Sequence, residues 1–139
     1  MKTIERNPVS IHKHGRALCN TQDLEPHERE TVFCLTSFGF DVETIIPSSI
    51  PGSRNPDLLM MGTTWEIKGP RTANRSTIQT KFRKAVKQSG GRAVFDLRNA
   101  RSVERVEVES IIMKLFSSTR GMRRIIIIRD DEHLVDIFK

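Results

Sequence analysis

The chain has 139 residues, 23 Lys plus Arg against 17 Asp plus Glu, a formal net charge of +6 and a pI near 9.8. With 37% hydrophobic and 29% charged residues it suits one globular domain that builds a core without staples, which excludes a wholly disordered chain. The excess of positive charge suggests a polyanionic partner such as nucleic acid, although many small basic proteins bind none. No apolar run approaches the length of a membrane span, and MKTIERNPVSIHKHG lacks the apolar core of a signal peptide. Cys19 and Cys34 have no metal-ligand spacing and read as free thiols in a reducing, cytoplasmic setting.

Residues 1–22 are polar, carry Pro8 and Gly15 and show no sustained period, which predicts a loosely docked arm before a domain over 23–139. His12 and His14 in this arm read as solvated. A helix is predicted over 25–38, with Thr21 or Asp23 as cap, Pro26 in the first turn and glutamates close behind, where the helix dipole favours them. Its apolar face is Val32, Leu35 and Phe38, and Gly39 stops it. A strand around 41–46 breaks at Pro47, Pro51 and Gly52. A hairpin follows: strand 57–60, turn 61–63, strand 64–68, ended by Gly69 and Pro70.

Residues 72–89 fall into helical period, with Ile78, Phe82, Ala85 and Val86 on one face and a set of basic residues elsewhere. Gly90 and Gly91 stop that helix. RAVFDL reads as a strand and SVERVEVESIIMKLFSS as a helix with Val103, Val106, Ile111 and Leu115 inward. RRIIIIRDDEHLVDIFK reads as a strand, a turn at 130–132 holding a surface His133, and a last strand. Four consecutive isoleucines argue for a strand covered on both faces. The order αβββαβαββ predicts one α/β domain with a central mixed sheet flanked by helices.

The hairpin NPDLLMMGTTWEIKGP is apolar except where Asp57, Glu66 and Lys68 interrupt it. Strand side chains alternate, so Glu66 and Lys68 share one face while Trp65, read as a core aromatic, and Ile67 share the other. A two-residue turn, Met61-Gly62 or Gly62-Thr63, sets Asp57 opposite Glu66 or Lys68, whereas a three-residue turn without a bulge sends it to the other face. Two converging carboxylates repel each other unless a cation lies between them, and oxygen donors suit hard divalent ions. A lysine beside them is well placed to orient water and to steady charge on a phosphorus under attack.

Pro56-Asp57, eight residues, then Glu66-Ile67-Lys68 resembles the PD-(D/E)xK nuclease superfamily, whose αβββαβ core matches the order read from about 25 to 97. The narrower likeness is to the C-terminal tRNA nuclease toxin domains of contact-dependent growth inhibition proteins, the CdiA type. It rests on a helix glutamate followed by L..FGF, on PDLLMMGTTWEIKGP, and on STIQTKFRKAVKQSGGRAVFDL. This resemblance implies a metal-dependent endonuclease acting on structured RNA, tRNA above all, in the cytoplasm of a cell to which it is delivered, with an immunity protein as partner. A DNA endonuclease of the restriction, resolvase or repair kind and a non-cleaving nucleic-acid-binding module are the alternatives.

Carried over by position, the resemblance makes Asp57 and Glu66 ligands of Mg²⁺, with Mn²⁺ or Zn²⁺ accepted, the Ile67 carbonyl a further ligand and Lys68 the catalytic lysine. It also asks for an acid from the first helix. Glu28 shares the face of Val32 and Leu35 and is preferred to Glu30 for that place. On the second helix, Gln79 and Gln88 stand where such domains carry polar residues near the site. Asn74, Arg75, Thr77 and Lys81 are expected to meet phosphate there. Arg98, Arg101, Arg120, Arg123 and Arg124 are candidates to extend a phosphate track.

Overall fold

Four isoleucines in a row leave no side of a strand for water, and the chain meets this by covering both sides. The computed structural model describes residues 1–19, 24–45, 50–51 and 56–139. In chain order they form β1 (Lys2–Arg6), β2 (Ala17–Leu18), α1 (Pro26–Ser37), β3 (Val42–Thr44), β4 (Leu58–Met60), β5 (Thr63–Lys68), α2 (Arg75–Ser89), β6 (Arg92–Asp96), α3 (Ser102–Ser118), β7 (Arg124–Ile128) and β8 (Leu134–Phe138). The strands make one eight-stranded mixed sheet in the order β1-β8-β7-β6-β5-β4-β3-β2. β5, β6 and β7 run parallel, and β4 and β8 flank them antiparallel.

Two parallel crossovers that advance in one direction place both helices on one face if each is right-handed. Accordingly, Ile78 and Phe82 of α2 and Val108, Ile112 and Phe116 of α3 share a core with Phe95, Ile125 and Ile127. α1 covers the other face, where Val32, Leu35 and Phe38 pack with Trp65, Ile67, Val94, Ile126 and Ile128. The isoleucines of β7 thus alternate between two cores and are all fully buried. Burial of each contributes about 1.5–3 kcal/mol.

The N-terminal stretch corrects the expectation of a loose arm. β1 pairs over five positions with β8 and β2 pairs with β3, so residues from this stretch form both edges of the sheet. Edge strands need only one partner and tolerate an all-polar solvent side, which is why composition made them look like an arm. A second correction concerns α3. Val103 and Val106 are exposed, and the buried stripe runs through Val108, Ile112, Leu115 and Phe116. Traced back one turn, that stripe reaches Glu104 and Arg105, and Arg105 donates to the carbonyls of Ala100 and Arg98, both at 3.1 Å.

α1 begins at Glu25, which forms a capping box with Glu28: the Glu25 N–H donates to Glu28 Oε1 at 3.0 Å, and the Glu25 side chain accepts from the Glu28 N–H. The caps expected at Thr21 or Asp23, and the breaks at Pro47 and Gly52, lie outside the described residues. Two fully buried carboxylates are matched by arginines. Asp136 takes both arms of Arg124 at 2.9 and 2.6 Å, with the guanidinium 3.9 Å from the Phe138 ring centre. Asp96 accepts from Thr31 Oγ1 at 2.6 Å and from Arg98 Nη2 at 2.8 Å, tying α1 to the end of β6. Unpaired, each would cost several kcal/mol. Arg98 and Arg124 are therefore committed inward, which removes them from the expected phosphate track.

Candidate active site

The turn between β4 and β5 decides where the acids go. Met61 and Gly62 both have positive φ, +53° and +74°, and form a two-residue turn that pairs Met60 with Thr63 and Leu58 with Trp65. Continuing that register sets Asp57 beside Glu66. Asp57 lies just before β4, where its N–H donates to the Trp65 carbonyl at 3.1 Å and its Oδ2 accepts from the Ile67 N–H at 2.8 Å. In a strand, the N–H and C=O of one residue leave on the same side, so the Ile67 carbonyl also points past the end of β4 toward Asp57.

Alternation does the rest. Trp65 and Ile67 lie in the α1-side core, so Glu66 and Lys68 face α2. Trp65 is fully buried and its indole N–H donates to the Met60 carbonyl at 3.0 Å, which makes it a core residue. Lys68 Nζ lies 3.2 Å from Glu66 Oε2. The other Glu66 oxygen, Oε1, is buried with no hydrogen-bond partner among the described residues. Burial first, then the Asp57 charge, pushes the Glu66 carboxyl up to about 7, against the opposing pull of Lys68.

Two crowded carboxylates, one with an orphaned buried oxygen, fit a hard divalent cation, which would relieve the repulsion and satisfy that oxygen. Among the described residues no third His, Cys, Asp or Glu joins them. One or two carboxylates suffice for Mg²⁺, which keeps several of its waters. Glu28 is not brought to this site. α1 covers the opposite face of the sheet, and Glu28 Oε1 is occupied in capping its own helix. Glu30 is exposed, and its carbonyl accepts from Arg98 at 3.1 Å.

α2 sorts the remaining candidates by helical phase. Ile78, Phe82 and Ala85 point to the core. Thr77, Lys81, Lys84 and Gln88 fall on the flank toward Lys68, whereas Arg75 and Gln79 fall on the other flank. Asn74 is the N-cap, its side-chain oxygen accepting from the Thr77 N–H at 3.0 Å. Lys68, Ser76, Thr77, Thr80, Lys81 and Lys84 line a cavity of about 320 Å³. Thr77 and Lys81 also line a neighbouring cavity of about 280 Å³ with the Gly69–Thr72 turn. Ser76, Thr80 and Lys84 escaped the sequence reading as site residues. The spacing 77, 81, 84 was the available signal, obscured because basic residues surround the helix.

The fold and this hairpin define a single α/β domain that gathers two carboxylates and a lysine at the C-terminal end of a parallel strand. Residues 54–134 match the family of the contact-dependent growth inhibition CdiA C-terminal domain, and the chain belongs to that family. No curated protein matches the sequence. Among solved structures, the CdiA-CT/CdiI toxin and immunity complex from Burkholderia pseudomallei resembles it, with TM-score 0.65 at 20% identity over 90% of this chain and 100% of that one. At that identity the likeness concerns the fold. Among the described residues, no helix is long and apolar enough to cross a membrane.

Proposed function

We propose that this toxin-family domain is a metal-dependent endonuclease of the PD-(D/E)xK kind that hydrolyses phosphodiester bonds in structured RNA, tRNA above all. The observation that carries the reading is the Asp57–Glu66 pair with its orphaned buried oxygen beside Lys68. The preference for RNA rests on the resemblance of the sequence to tRNA nuclease toxins.

Asp57 and Glu66 would hold the cation, with the Ile67 carbonyl on the same side. A divalent ion bound there supplies Lewis-acid charge and lowers the pKa of water. The chain's own part is positional and electrostatic. The Ile67 N–H fixes the Asp57 carboxylate. Glu66 holds the Lys68 ammonium at the mouth of the α2 groove, where the N–H donors not directed at Glu66 face an incoming phosphate and stabilise the charge that grows on its oxygens. β5, anchored by Trp65 and Ile67 in the core, gives both side chains a rigid base. The Burkholderia relative is described with an immunity protein. By extension we assign this chain a cognate immunity partner and a site of action in the cytoplasm of the cell that receives it.

The test is incubation of the protein with total tRNA and, separately, with duplex DNA, in Mg²⁺ or in EDTA, beside Asp57→Ala and Lys68→Ala. Metal-dependent cutting of tRNA that drops by a hundredfold or so in each variant is the expected result. Cutting of duplex DNA would replace RNA with DNA as substrate. Full cleavage by either variant would overturn the site.

A further inference from the structure

Beyond the scissile centre, three ammonium groups meet in one groove. Lys68, Lys81 and Lys84 line the cavity between β5 and α2 together with Ser76, Thr77 and Thr80, and no carboxylate shares that lining. Glu66 is already paired with Lys68, and among the described residues neither Lys81 nor Lys84 has an ion-pair partner. Like charges this close repel, and the half-burial of Lys68 and Lys81 adds to the cost. Burial, followed by Lys68 and Lys84, lowers the Lys81 pKa. Such a site is completed by an anion that is not part of the chain.

Its shape specifies the anion further. From Thr77 to Lys84 the helix advances about 10 Å. Phosphates follow one another at about 3.4 Å of axis along a helical strand, so this length takes more than one. The groove opens at Lys68 and continues through Thr77 and Lys81 into the second cavity. Hydroxyls alternating with ammoniums suit phosphate oxygens, which take both kinds of donor. Carboxylate ligands would leave the far end of the groove unfilled.

We propose that this groove is a backbone-phosphate subsite that seats phosphates neighbouring the one at Lys68, held by the charges of Lys81 and Lys84 and the hydroxyl of Thr77. It rests on the nuclease reading only for the claim that its polyanion is a substrate. The contacts are to the backbone, so the subsite sets register and affinity without reading sequence.

The experiment measures binding without cleavage: fluorescein-labelled oligouridylate titrated into Asp57→Ala protein in EDTA across a series of salt concentrations. Each single-strand phosphate contact contributes about 0.7 to the slope of log K against log salt. Lys81→Met and Lys84→Met, which keep the apolar stem, are each expected to flatten the slope by about that amount. Arg83→Met removes a charge from the opposite flank of α2, outside the groove lining, and should leave the slope unchanged. Circular dichroism checks folding, and the exposed Lys84 provides a second test should Lys81→Met misfold. If the Lys81 and Lys84 variants keep the slope of the Arg83 variant, the subsite is wrong. A lysine-dependent slope with no metal-dependent cleavage by the unsubstituted chain would keep the subsite and remove the nuclease reading instead.

Discussion

At the scale of single residues, Glu66 is held under tension, because burial and Asp57 both oppose its charge. Its folded value, about 7, lies above the ordinary 4.5, so between those values the folded chain binds the proton more tightly than the unfolded one. Stability contributed by protonated Glu66 is present below about 4.5, is lost as pH rises through about 7, and changes little above that. Glu66→Gln, which cannot ionise, should therefore raise the unfolding free energy from urea denaturation above neutral pH by on the order of 2 kcal/mol and have little effect in acid. An equal gain at both ends of the pH range would show that Glu66 is not strained. In the unsubstituted chain, Mg²⁺ should raise the melting temperature above neutral pH, since cation binding stabilises only the folded state.

At the scale of elements, α3 separates hydrophobicity from burial. SVERVEVE presents valines at 103, 106 and 108, yet the structure buries only Val108. Ser substitutions at Val103 and Val106 should change unfolding free energy by no more than about 0.5 kcal/mol. Ile112→Ala, by contrast, should cost about 2–5 kcal/mol. Urea denaturation compares all three directly, and a large loss at Val106 would mean that this valine is covered in solution. The β4–β5 hairpin was more legible: alternation alone put Glu66 and Lys68 on one face, and either two-residue turn brought Asp57 to them, whereas a three-residue turn sent it away. The choice of Met61-Gly62 needed the structure, since Met at positive φ is disfavoured and only its setting selects it.

At the scale of the whole molecule, the two ends of the chain close the sheet. β1 covers the free edge of β8 through five paired positions. Deleting residues 1–6 would uncover a strand bearing Leu134, Val135 and Ile137, all buried. The truncated chain is expected to melt at lower temperature and to associate with rising concentration, as light scattering would report. An unchanged melting temperature would return the N-terminal stretch to the role of an arm. The same sheet lets α1 serve one face and Glu66 and Lys68 the other, which is why an acid on α1 remains apart from Glu66.

The sequence by itself determined the α/β layering, the doubly covered isoleucine strand and the pairing of Glu66 with Lys68, because all three follow from local periodicity and the amphipathic pattern of each element. The tertiary structure alone decided that polar residues near the N-terminus are sheet edges, that Asp96 and Asp136 are buried and need the charges of Arg98 and Arg124, and that α1 with Glu28 lies on the face of the sheet away from Glu66. It also decided which of many lysines share a groove with Lys68. These outcomes depend on contacts between residues far apart in the chain, where a partner's charge or a missing hydrogen bond changes what a side chain is worth. No local pattern encodes such partners.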